Sequence, residues 1–167
     1  MDVGTIGGEA APMVHEQMFD DDDPVLALVR ELALDLPDAA EKVSHGRPAF
    51  FTTKVFCYYG GSHKVDGRWV QHPQCVVVLP DPAEREALLQ DDRVYVPAYL
   101  GPSGWLGVDV GETTDASEIA ELLEDSYRQT AGSRRVARLG TWAAAPSSRV
   151  TPSSRATPSS RVDSTQQ

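Results

Sequence analysis

The stretch Ala49-Phe50-Phe51-Thr52-Thr53-Lys54-Val55-Phe56-Cys57-Tyr58-Tyr59 decides the fold. Aromatic and β-branched side chains suit a pleated, half-buried surface, so Ala49 to Thr52 and Val55 to Tyr59 read as two strands. Thr53-Lys54 is short enough to join them as an antiparallel hairpin. Farther along, Gly60 to Pro73 is polar and holds the turn signals Gly60-Gly61, Asp66-Gly67 and Pro73. It reads as a long hairpin loop with room for a short strand at Arg68 to Val70. Cys75 to Leu79 is apolar at every position, which places a third main strand inside the sheet rather than at its edge. A brief helix at Pro82 to Leu89, capped by Asp81, then leads to strands at Val94 to Val96 and Trp105 to Val110. In the last of these Leu106, Val108 and Val110 share one face, and Trp105, Gly107 and Asp109 the other.

Helices flank this run of strands. Asp23 followed by Pro24 is an N-cap with proline at the first helical position, and Val25, Leu28, Val29, Leu32 and Leu36 recur at helical spacing until Pro37. On the C-terminal side, Asp115 and Glu118 have the spacing of a capping box, and Ile119, Leu122, Leu123 and Tyr127 form one stripe. Helix, strands, helix is the order of an α+β domain: an antiparallel β-sheet with N- and C-terminal helices packed on one face.

The ends do not join this pattern. Residues 1 to 23 are rich in small residues and close on Asp20-Asp21-Asp22-Asp23, too polar to offset their own ordering entropy, so they read as a disordered acidic leader. Residues 140 to 167 carry Pro-Ser-Ser-Arg three times, at Pro146, Pro152 and Pro158, and read as a disordered, extended tail. One domain over residues 24 to 139 remains. The chain has a formal net charge of -10, which repels nucleic acid and anionic lipid unless cations gather on one face. No stretch approaches the roughly 18 apolar residues of a membrane span, and no signal peptide opens the chain, so the cytoplasm is the expected location and no membrane partner is expected. Cys57 and Cys75 lie far apart in apolar runs, as buried free thiols do.

Four blocks of this chain resemble the MmcQ/YjbR family, in particular its actinobacterial branch: Ser44-His45-Gly46-Arg47-Pro48-Ala49-Phe50-Phe51, Lys54-Val55-Phe56, Tyr95 to Val108 with its Gly101-Pro102-Ser103-Gly104-Trp105 centre, and Glu121 to Arg128. The resemblance covers roughly Pro24 to Leu139. It implies a two-layer sandwich similar to bacterial frataxin (CyaY-like), and a DNA-binding role through hairpins arranged as a double wing. Some related sequences carry a formyltransferase label. This chain has neither a Gly-rich phosphate loop after a parallel strand nor an Asn-His-Asp formyl-transfer constellation, so no catalytic residues and no cofactor are expected.

The candidate nucleic-acid surface is the hairpin region: Arg47, Lys54, His63, Lys64 and Arg68, with Trp69 to stack on a sugar or base. From Lys42 to Gln74 the only acid is Asp66. Lys54, Lys64 and Arg68 are expected to contact phosphate, in competition with the oppositely charged Asp20 to Asp23. Arg134, Arg135 and Arg138, after the last stripe, either extend this patch or offset the carbonyl end of the helix. The alternative partner is a small aromatic ligand on a surface of Tyr58, Tyr99 and Trp105, with Gly107 leaving room for a flat molecule beside the indole. His63, His72 and Cys75 are metal-ligand types at a spacing that matches no compact site, so no metal is expected. Ser44 and His45, being adjacent, are expected to point apart and serve the loop. Gly101 to Gly104 reads as a tight turn.

Overall fold

The computed structural model describes residues 16–142; the leader up to residue 15 and the tail from residue 143 lie outside the described residues, whereas residues 140–142 of the expected tail are helical. Helix α1 spans Pro24–Leu34, begun by the Asp23 carboxylate, which accepts from the Val25 N–H, and by Pro24 at the first position. Its buried face is Val25, Leu26, Val29 and Ala33; Leu28 and Leu32 are only partly covered, at the margin of the expected stripe. Part of the expected leader belongs to the domain: Met18 donates its N–H to the Gly46 carbonyl, and Phe19 packs against the core.

The strands are β1 Ala40–Ser44, β2 Arg47–Phe51, β3 Val55–Val65, β4 Arg68–Val78, β5 Val94–Tyr95 and β6 Leu106–Asp109. They form one antiparallel sheet in the order β1-β2-β3-β4-β6-β5. Two features differ from the sequence reading. Ala40–Ser44 is a strand despite its polar composition, because it is an edge strand in which no side chain is buried. Gly60 to Pro73 is not a loop: β3 and β4 run on as a ribbon to a two-residue turn at Asp66-Gly67. Both turn residues have positive φ (48° and 79°), as do His45 and Gly46 between β1 and β2 (52° and 78°). This is the turn geometry whose twist matches that of paired strands.

The expected helix at Pro82 to Leu89 is shorter, α2 Arg85–Leu88, with Asp81 holding the preceding turn through the Ala83 N–H. Gly101–Ser103 is a single 3₁₀ turn closed by Gly104 at φ 93°. Helix α3, Ala116–Thr130, is capped by Asp115 through the Ser117 N–H, but Glu118 does not complete a capping box, because it pairs with Arg93 at 2.6 Å. A further helix, α4 Ser133–Trp142, follows Gly132.

Helices α1, α3 and α4 lie on one face of the sheet. Their residues Val29, Ile119, Leu123, Tyr127 and Leu139 form one core with Phe50, Phe56, Val76, Val78 and Val108. Ser126, fully buried in that layer, accepts from the Leu79 N–H at 2.8 Å and donates to the Phe56 carbonyl, so the helix is bonded to two strands. The opposite face holds a smaller cluster, Cys75, Val77 and Tyr95 with Tyr58, Leu100 and Trp105, beneath the segment joining β5 to β6. Both cysteines are free and buried.

Candidate nucleic-acid interface and the adjoining cavity

Strand β2 pairs with β3 only as far as Tyr58, and β6 pairs with β4 only over Cys75–Val78. Beyond a bulge at Tyr59 to Gly61, residues Gly61–Val65 and Arg68–His72 therefore pair only with each other. They form a two-stranded ribbon that extends about 17 Å past the sheet at roughly 3.3 Å per residue. Lys64 and Trp69 are directly paired near its tip, with the ammonium 5.5 Å from the indole centroid. Trp69 also stacks on Tyr99 at 6.0 Å. Arg30, Arg93, Arg128, Arg135 and Arg138 are all ion-paired with carboxylates. Lys64 and Arg68 are exposed and form no salt bridge among the described residues.

The structure divides the candidate set. Lys64, Arg68 and Trp69 all lie near the ribbon's tip, Lys64 and Trp69 as a cross-strand pair on one face and Arg68 on the other. Lys54 lies at the other end of β3, on the order of 30 Å away by strand rise, and cannot share their contact. Arg47 turns to the sheet face, where it donates to the Gln71 side-chain oxygen at 3.0 Å. Arg135 and Arg138 are held by Asp38 at 3.1 and 2.9 Å, so they offset a carboxylate rather than extend the patch. In the acidic run, Asp21 pairs with Arg30 and Asp23 is bonded by Tyr59 and Gln74.

His63 anchors the ribbon's base. His72 Nδ1 lies 2.7 Å from the Asp109 carboxylate and its Nε2 lies 2.8 Å from His63 Nδ1, while the His72 ring stacks on Tyr95 at 3.8 Å. Both nitrogens of His72 are thus engaged by neighbours. Cys75 Sγ lies 3.0 Å from the Tyr95 hydroxyl; burial pushes the thiol's pKa up to about 12, which keeps it protonated at neutral pH. Among the described residues no three His, Cys, Asp or Glu side chains are grouped to hold a metal ion. The Asp109–His72–His63 chain escaped the sequence reading because the loop assignment broke the register. Counting pairs outward from Asp66-Gly67 would have set His63 opposite Val70, two residues from His72 and on the same face.

The aromatic trio also divides. Tyr58 and Tyr99 line a cavity of about 320 Å³ together with Arg47, Gly61, Val77 and Leu100, whereas Trp105 packs on Tyr58 at 5.7 Å and is not part of the lining. The space expected over Gly107 is filled: a Cβ there would meet the Tyr95 ring at 2.2 Å. Ser44 and His45 do not point apart. The left-handed backbone at His45 brings its Nδ1 to 3.1 Å from the Ser44 hydroxyl, and both residues line the cavity.

No helix among the described residues is long and apolar enough to cross a membrane. No curated protein sequence matches the chain. A family model described as YjbR matches residues 34–129, a span that contains the whole sheet, the ribbon, the cavity and nearly all of α3. With more than half of its length matched in this way, the chain belongs to the YjbR family.

Proposed function

We propose that this protein binds DNA weakly and without strong sequence preference, through the β3–β4 ribbon and without catalysis. The observation that carries the reading is the ribbon itself. A two-stranded ribbon is of a size that the major groove admits, and this one presents Lys64 and Arg68 without carboxylate partners beside an exposed Trp69. In this reading the two cations meet phosphate and the indole lies against a sugar or base. The contact must be small, because Lys54 and Arg47 lie elsewhere and the chain as a whole is acidic. With about two phosphates neutralised, the slope of log K against log salt is about -2.

The test is fluorescence anisotropy of a labelled duplex with the full chain at two salt concentrations, beside the double variant Lys64→Glu, Arg68→Glu. Binding that weakens with salt at about that slope and disappears in the variant is the expected result. Binding that ignores salt, or survives the double charge reversal, overturns the reading.

A further inference from the structure

The cavity on the sheet face opposite the helices is lined by none of Lys64, Arg68 or Trp69, and it touches the ribbon tip only where its Tyr99 stacks on Trp69. One wall comes from the β1–β2 turn (Ser44, His45, Arg47), another from the β3 bulge (Gly60, Gly61, Ser62). The roof is the segment through Pro97 to Leu100, tied down where Ala98 donates its N–H to the Ser62 carbonyl at 3.0 Å.

Three features of the lining point to the same kind of occupant. Arg47 pairs with no carboxylate among the described residues and donates only to the amide oxygen of Gln71. It is a guanidinium with bonding capacity left over, and planar carboxylates match its fork. The bulge is shaped around it: Gly60 has φ 77°, and a Cβ there would lie 2.2 Å from Arg47 Nη1. Apart from Ser44, His45 and Ser62 at the walls, the remaining lining is apolar or aromatic, with Val77 and Leu100 beside the rings of Tyr58 and Tyr99. Tyr99, although an aromatic residue, is held at φ 67°. Such a conformation is costly for a bulky side chain, and costly conformations of this kind cluster at functional sites. The volume, about 320 Å³, is at the lower end of the range for small-molecule sites.

We propose that this cavity binds a small aromatic carboxylate, with its anionic group on Arg47 and its ring against Tyr58 and Tyr99. The inference does not rest on the nucleic-acid reading, and either can fail without the other. The positive charge selects the acid over its neutral amide, and the apolar lining selects a flat ring over an aliphatic chain.

The experiment is calorimetric titration of the full chain with 2-naphthoate and, separately, with 2-naphthamide, which has the same ring system but no charge. Naphthoate is expected to bind at least about tenfold more tightly than the amide. Arg47→Gln should erase that preference, and Tyr99→Ala should weaken both probes while leaving the acid preferred. Circular dichroism melts establish that each variant is folded, and Tyr99→Ala is a surface change that tests the site even if Arg47→Gln unfolds. Equal affinity for the two probes, no binding of either at millimolar concentration, or an undiminished preference in folded Arg47→Gln overturns the proposal.

Discussion

The inner and outer halves of the β3–β4 hairpin are built from the same two strands and have opposite fates. In the inner half, Phe56, Cys57, Tyr59, Val76 and Val78 are fully buried beneath the helices, and β2 and β6 pair on either side. In the outer half, Val65, Trp69 and Val70 are exposed and each strand has only the other as a strand-pairing partner. The boundary is the bulge at Gly60, just where side chains stop being apolar on both faces. A strand flanked and covered on all sides gains stability from packing. A bare ribbon gains little, so its residue choices are free to serve contact with something else.

The largest expected effect breaks the inner half. Phe56 is completely buried and meets Tyr127 edge-on at 5.5 Å between centroids, so Phe56→Ala should cost about 3–5 kcal/mol. Trp69→Ala, the same kind of truncation on the ribbon, should change stability by no more than about 0.5 kcal/mol. Chemical denaturation of both variants measures the contrast, and equal losses would show that the ribbon belongs to the core. Next in size is Gly107→Ala, whose added methyl would enter the Tyr95 ring. Such overpacking should cost about 1–3 kcal/mol and, because Tyr95 stacks on His72, should loosen the ribbon's base. Faster amide exchange at His63 and His72 than at Val76 is the signature to seek; uniform acceleration would argue against a local effect.

The same boundary explains what the sequence revealed. Continuous apolar runs and paired caps made the inner strands and both long helices legible, since burial on two faces and a carboxylate before a helix leave signals in adjacent residues. Residues 61 to 72 lacked such a signal: a ribbon open to water tolerates polar residues, and only the Asp66-Gly67 turn marked it. Polar Ala40–Ser44 was lost for the same reason. Of the candidate site, Lys64, Arg68 and Trp69 were recoverable as neighbours in the sequence, whereas separating Lys54 from them required knowing that β3 runs unbroken for eleven residues. The role of Arg47, and the Asp109–His72–His63 chain, depend on contacts between positions 24 and 37 residues apart, which spacing along the chain does not show.

A smaller loss than either core change is expected at the boundary itself. Asp23 joins the start of α1 to the hairpin at the bulge: its carboxylate accepts from the Tyr59 hydroxyl at 2.6 Å, the Val25 N–H at 2.9 Å and the Gln74 amide at 3.1 Å. Partial burial pushes the pKa of this acid upward, but the combined hydrogen bonds outweigh it and hold the group below its ordinary value of 3.8. A carboxyl whose pKa is depressed by folding stabilises the folded state above its unfolded pKa, and that stabilisation is lost as pH falls through the folded value. An asparagine at this position would retain a cap oxygen but carry no charge, so Asp23→Asn should cost on the order of 1 kcal/mol at pH 7. The difference from the parent should shrink only as the pH falls below 3.8 and through the lowered folded value, where both side chains become neutral. Denaturation at pH 7 and in that acidic range tests this directly. A difference of the same size at both would mean that the Asp23 contacts act through shape alone, and that the hairpin is held at its bend by packing rather than by charge.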